Sequence, residues 1–236
     1  MMRTLFFKIM LIFLLLLKIQ PTIVTAQPTR FFIKANVTIP KAVSNNFFRK
    51  QYTGVYNVDL SASSLLGKKQ RVYVGLGADF KQFQSKDSYV SIRTTSIENK
   101  KKPAVTSSAL SGLLHVGYWK SDGGSLVTDY SVGIGMMQTT NTSPVDSFPA
   151  SNIVTGYTIQ PKVGFYWYVD EDKLMMLGGT IGYTYVNTRF DADALHYKLL
   201  SKEYIAKDVK LNTQYISFGL GLIFRIGKSS GNNDFE

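Results

Sequence analysis

Side-chain chemistry starts from few residue types, and this chain is short of them. It has no cysteine, which excludes disulfides, thiolate nucleophiles, zinc knuckles and lipid attachment at a lipobox cysteine. It has two histidines, His115 and His196. A Ser–His–acid relay would need one of them beside an activated serine. Ser111 and Leu113 share a strand face with His115, and Asp129 belongs to the neighbouring strand. The competing reading, an interior histidine hydrogen-bonded into a polar network, is the one we take. His196 sits in ADALHYKLL, with no acid or serine at a telling spacing, and reads as a surface loop residue.

Metal and phosphate chemistry fare no better. Asp170, Glu171 and Asp172 run into Lys173, which reads as a solvated hairpin tip. A calcium loop would need acids at alternating positions. Gly75-Leu76-Gly77 and Gly219-Leu220-Gly221 alternate with apolar residues inside strands and open no helix, so they read as packing glycines. The expectation is a protein that is not an enzyme, with no catalytic, cofactor-binding or metal-ligating residues.

The remaining chemistry is charge, and its meaning depends on where the chain resides. Residues 1–26 begin with Arg3 and Lys8, continue through IMLIFLLLL and end Val24-Thr25-Ala26. A basic start, a short apolar stretch and small residues at −3 and −1 predict a signal peptide cleaved after Ala26. Lys18 and Pro21 cut the apolar run below the roughly 20 residues a spanning helix needs. Cleavage removes Arg3, Lys8 and Lys18, so the formal net charge falls by three, from +11 to +8. An exported chain does not meet nucleic acid as its ordinary partner.

From residue 30 onward the apolar period is two. Eight strands are predicted: Arg30–Ile39, Tyr52–Ser61, Arg71–Phe83, Ser108–Trp119, Leu126–Gln138, Val154–Val169, Leu174–Asn187 and Thr213–Ile226. Each reaches the roughly 9–11 residues with which a tilted strand crosses a bilayer. The last places Ile216, Phe218, Leu220, Leu222, Phe224 and Ile226 on one face, against Tyr215, Ser217, Gly219, Gly221, Ile223 and Arg225.

Glycine decides which face is inside. Glycines 75, 77, 117, 133, 135, 164, 178, 182, 219 and 221 share the polar face. On a strand face exposed to water they would only weaken the strand. Inside a narrow eight-stranded barrel they make room for large inward side chains. The polar face is therefore inward and the aliphatic face meets lipid, the inversion seen in transmembrane barrels. The fold class expected is all-β, an eight-stranded antiparallel up-and-down transmembrane β-barrel.

The connections agree, with long segments at 40–51, 84–107, 139–153 and 188–212 alternating with short ones at 62–70, 120–125 and 170–173. Short periplasmic turns with longer external loops are the outer-membrane pattern. Phe31, Tyr52, Tyr118, Trp119, Tyr157, Trp167, Tyr168, Tyr185 and Tyr215 lie near strand ends, where interfacial girdles are expected.

With its signal peptide, strand and loop layout and final strand YISFGLGLIFRIG, the chain resembles the small eight-stranded outer-membrane barrels of the OmpA/OmpX-like superfamily. It looks most like the outer-membrane β-barrel domain proteins of Bacteroidota. The resemblance covers the mature chain from about Gln27 to Ile226. It implies that the last strand is read by the barrel-assembly machinery. Here a polar tail, Lys228 to Glu236, follows where the family often ends on an aromatic. The divisions expected are a signal peptide at 1–26, a barrel at 27–227 and a tail at 228–236. The deacylases and palmitoyltransferases of this size carry His and Ser near strand ends in motifs this chain lacks.

Two sets of residues are singled out. Inside, Lys34, Arg71, Lys81, Lys162 and Arg225 face Asp59, Asp79 and Asp129, and should pair across a bore too narrow for unpaired charge. Outside, Lys41, Arg49 and Lys50 in the first long loop and Lys100, Lys101 and Lys102 in the second form a basic patch. Lipopolysaccharide phosphates are the expected counter-charge. The function expected is a non-enzymatic barrel of the cell outer membrane with a plugged polar lumen and basic external loops, serving envelope structure, adhesion or binding. The alternative is a small-solute pore, or an accessory subunit with a protein partner in an outer-membrane transport or secretion complex.

Overall fold

The computed structural model describes residues 31–43, 49, 52–66, 71–86, 88–93, 96–103, 106–121, 125–143, 150–190 and 209–226. Ten strands follow in order: β1 Phe31–Ala42, β2 Tyr52–Leu66, β3 Val72–Ser85, β4 Ser88–Arg93, β5 Ser96–Pro103, β6 Thr106–Ser121, β7 Leu126–Ser143, β8 Ala150–Tyr168, β9 Met175–Phe190 and β10 Val209–Ile226. Eight of them close into an antiparallel barrel in the cyclic order β1-β10-β9-β8-β7-β6-β3-β2. Closure runs from Phe31↔Ile226 to Ala42↔Tyr215 between the first and last strands. Each barrel strand pairs with its neighbours in sequence, save that β4 and β5 form a separate two-stranded ribbon between β3 and β6.

That ribbon occupies a segment whose sequence reads as loop. The strand periodicity continues into 88–103, but the pairing is internal to the segment and leaves the barrel count at eight. The barrel strands also run further than the apolar pattern predicts. β7 continues to Ser143 and β8 begins at Ala150, leaving only 144–149 between them. The expected long connection at 139–153 is therefore mostly ladder: above an apolar belt, strand pairing persists on polar residues such as Asn141↔Asn152 and Thr142↔Ser151.

The two faces divide as alternation requires. Leu76, Leu220, Val37, Met136, Ile134 and Ile181 stand outward and are exposed. The inward positions of the barrel strands are buried, Lys34, Asn36, Asp59, Asp79 and Gln160 among them. A protein exposing its aliphatic residues and burying its charges is built for hydrocarbon, and a closed antiparallel barrel leaves no strand edge to satisfy there. The fold is an eight-stranded transmembrane barrel.

The girdle needs correction. Phe31, Tyr118, Tyr157 and Trp167 are exposed, and Tyr185 stacks on Tyr157 with ring centroids 6.4 Å apart. Tyr52, Trp119 and Tyr215 are buried inside, and Tyr168 packs on the interior cluster. Trp119 shares the parity of His115 and Gly117, and Tyr215 that of Ser217 and Gly219, so both face the lumen. Tyr52 is turned inward by an irregularity between Gly54 and Tyr56, which shifts the alternation of β2 below it.

Candidate functional site: the lumen and the outer rim

The lumen is filled in levels. At the end carrying the connections 67–71, 122–125 and 169–174, Phe32, Leu65, Tyr73, Trp119, Val127, Tyr166, Met176 and Ile223 form one buried apolar cluster. Phe32 lies 4.5 Å from the Trp119 ring and meets Tyr73 edge-on at 5.0 Å. Glycine makes this packing fit: a side chain at Gly117 would strike the Tyr73 ring, and one at Gly164 would strike Tyr166.

Above the cluster the lumen is ionic. Lys34 on β1 donates to Asp129 on β7 at 2.7 Å and to the Tyr73 hydroxyl at 3.2 Å. Tyr73 in turn donates to the other Asp129 oxygen at 2.6 Å. Lys162 on β8 pairs with Asp59 on β2, which also accepts from Asn36 at 2.9 Å. Around a ring of eight strands, β1 and β7 are diametrically opposed, and so are β8 and β2. Two ion pairs therefore cross the bore from wall to wall. Lys81 pairs with Asp79 on its own strand, and Gln160 donates to Asp79 from across the lumen at 2.6 Å. Tyr166 ties the two levels together, donating to Asn36 at 3.1 Å.

Six of the eight singled-out lumen residues thus form three ion pairs. Arg71 and Arg225 lie at the turn end instead. The Arg71 carbonyl accepts from the Trp119 amide at 2.7 Å, and the Arg225 amide donates to the Leu174 carbonyl at 2.7 Å. His115 is buried between Gly77 and Gly133, with neither ring nitrogen in a hydrogen bond among the described residues. The expected network partner for His115 is not found among them. The Ser111 hydroxyl likewise has no hydrogen bond there, and Asp129 is taken by Lys34 and Tyr73, so Ser111, His115 and Asp129 do not form a relay. Among the described residues no cluster of three or more candidate ligands could hold a metal ion.

At the rim, Lys41 belongs to β1 rather than to a loop, opposite Ile216. Arg49 is exposed, and its carbonyl accepts from Lys86 at 3.0 Å, joining the first connection to the foot of the second. Lys101 and Lys102 lie in β5, opposite Val90 and Tyr89, with Lys100 beside them. Lys50, His196, the signal peptide and the tail lie outside the described residues. The plug is what the sequence reading missed as a unit. Its signal was the shared inward parity of Tyr73, Trp119 and Tyr166 at the turn end of their strands.

No family model matches the chain, and no curated protein matches it in sequence. Among solved structures, Neisserial surface protein A is similar with a TM-score of 0.50 at 12% identity, over 83% of this chain and 97% of that one. A major outer membrane protein from Thermus thermophilus gives 0.49 at 13% identity, over 84% and 98%. The outer membrane protein OprG from Pseudomonas aeruginosa gives 0.48 at 10% identity, over 84% and 97%. At these identities the likeness is one of fold.

Proposed function

We propose that this chain is a non-enzymatic integral protein of the cell outer membrane, exported by a signal peptide cleaved after Ala26 and inserted by the barrel-assembly machinery. In this reading the lumen is a brace rather than a channel. The observation that carries it is the pair of wall-to-wall ion pairs, Lys34–Asp129 and Lys162–Asp59, standing on the aromatic plug. An interior so narrow is filled by its own side chains, and paired charges leave no continuous water column. The outward work then belongs to the rim, where Arg49 and the Lys100–Lys102 run engage lipopolysaccharide phosphates in envelope structure, adhesion or binding.

Planar-bilayer recording tests the brace. The purified protein is expected to give at most small, intermittent conductance. A large, steady, anion-selective conductance from the unmutated protein overturns the reading in favour of a pore. Membrane residence is tested separately: the protein is expected to fractionate with the outer membrane and to migrate faster on a gel unboiled than boiled.

A further inference from the structure

An apolar furrow of about 740 Å³ crosses the outer wall over six strands, from Val72 on β3 to Ile216 on β10. Register gives its direction. The lower bank follows the pairs Tyr118↔Tyr130, Tyr130↔Val163 and Val163↔Ile181, and the upper bank follows Val116↔Val132 and Val132↔Pro161. Both banks therefore run along the hydrogen-bonding direction, which climbs obliquely around a barrel of tilted strands. The climb starts at the turn end, where Val72 opens β3 and Tyr118 stands three residues before the end of β6. Five strand spacings of about 4.8 Å make a furrow about 24 Å long. At a strand tilt near 45° its axial rise is about 17 Å, close to half of a hydrocarbon core about 30 Å thick. The furrow has the reach of an acyl chain from one leaflet, not of the whole bilayer.

Charge marks the end at which a headgroup would sit. Among the described residues the barrel strands expose two charged side chains, Lys41 and Lys120, and no acid. Lys41 lies opposite Ile216, past the upper end of the furrow. Lys120 lies at the lower end, on the same face of β6 as Tyr118 and next to it along that face. Tyr130 pairs with Tyr118 and stands diagonal to Lys120, roughly 7–8 Å away. Both tyrosines are exposed, so a cation and two hydroxyls converge where the wall leaves the membrane. Above them Val116, Val132 and Pro161 carry no polar side-chain atom and suit a hydrocarbon chain laid along them.

We propose that Lys120 and the furrow form a binding site for one anionic phospholipid of the turn-side leaflet, its phosphate on Lys120 beside the Tyr118 and Tyr130 hydroxyls and one acyl chain in the furrow. The inference rests on the reading of a membrane-embedded barrel, and its test separates the two. Folded barrel in detergent, selected by heat-modifiable migration, is titrated with phosphatidylglycerol or with phosphatidylcholine of the same acyl chains, and bound lipid is counted by native mass spectrometry. Phosphatidylglycerol is expected to be retained about fivefold more strongly, the weight of one basic residue near a membrane surface. Lys120→Gln is expected to abolish that preference, and Lys41→Gln to leave it unchanged. Val132→Phe, which narrows the furrow without changing charge, is expected to reduce retention of both lipids. Equal retention of the two lipids by the unmutated barrel, a preference unmoved by Lys120→Gln, or one lost equally in Lys41→Gln overturns the site and leaves the membrane barrel standing. Retention unmoved by Val132→Phe overturns the furrow as the seat of the chain. A protein that shows no heat-modifiable migration and takes up neither lipid overturns the membrane barrel itself.

Discussion

The two levels of the lumen are closed by different physics. The turn-end cluster is closed by volume: Phe32, Tyr73, Trp119 and Tyr166 fill space that Gly117 and Gly164 leave empty. The level above is closed by pairing, with Lys34, Asp129, Lys162 and Asp59 reaching across the full bore. A volume seal depends on shape and is indifferent to charge. A paired seal depends on each partner being present, because either charge alone in that interior is uncompensated. Tyr73 and Tyr166 belong to both, with rings in the plug and hydroxyls in the network.

Removing one partner of the paired level is expected to have the largest effect. Lys34→Ala leaves Asp129 buried with only the Tyr73 hydroxyl, at a cost of about 3–5 kcal/mol. Combining Lys34→Met with Asp129→Leu is expected to recover most of that loss, since apolar replacement of a whole pair is often neutral or better. Urea unfolding in lipid vesicles measures both. Failure of the double variant to recover would show that the pair is held by more than charge compensation.

Trp119→Ala is expected to cost a similar amount, about 3–5 kcal/mol, as a fully buried aromatic ring leaves a cavity beside Phe32. No second charge change should rescue it. Additivity of Trp119→Ala with Lys34→Ala in the same unfolding assay would make the two seals independent, and strong coupling would make Tyr73 a bridge between them.

The outer wall supplies the contrast to both. Leu220→Arg and Val132→Arg place a cation in lipid, costing about 2–4 kcal/mol at the midplane. Both residues stand exposed on the barrel surface. Reduced assembly, scored by heat-modifiable migration, is the expected outcome. Normal insertion of both alongside failure of Gly219→Arg would mean that the faces are assigned the wrong way round.

How much of this was legible in sequence follows from what alternation can and cannot encode. Parity alone places Lys34, Asp59, Asp79, Asp129 and Lys162 in the lumen, because side-chain direction in a strand is local. Which lysine meets which aspartate is not local. It depends on barrel shear and closure, and Lys34 and Asp129 are 95 residues apart in the chain. The inward turn of Tyr52 was hidden for another reason, since one irregularity at Gly54 and Tyr56 reverses the parity of everything before it. Trp119 was legible and misassigned: its position near a strand end suggested a girdle, while its parity with Gly117 already placed it inside. The β4–β5 ribbon was missed because its alternation is short and its lysines read as loop.

The glycines permit a finer test of the volume seal. Gly117→Ala would place a methyl group against the Tyr73 ring, which cannot swing away while its hydroxyl donates to Asp129. Overpacking of this kind is expected to cost about 1–3 kcal/mol. Tyr73→Leu in the same chain should relieve the collision, so the double variant is expected to lose less than the sum of the single losses. Simple additivity would show that the ring accommodates the methyl group without strain.

The smallest expected effect lies in the turn beneath the plug. Lys173 is the only non-glycine residue with positive φ among the described residues, at 53°. It is held there by Asp170, whose carboxylate accepts from the Leu174 amide at 2.8 Å and the Met175 amide at 2.7 Å. A left-handed conformation costs an L-residue about 1–2 kcal/mol, which glycine does not incur. Against this, Lys173→Gly frees the unfolded chain by about 0.4–1 kcal/mol. It also gives up an exposed cation–π contact to Tyr168, 5.9 Å from the ring, worth about 0.5–1 kcal/mol. These contributions nearly cancel, so Lys173→Gly is expected to shift unfolding little, whereas Lys173→Val, which keeps the left-handed cost, adds β-branched crowding to it and gives up the cation–π contact, is expected to destabilise. Tyr168 packs on the aromatic cluster, so a loss from Lys173→Gly as large as that from Gly117→Ala would mean that the volume seal reaches down into the turn.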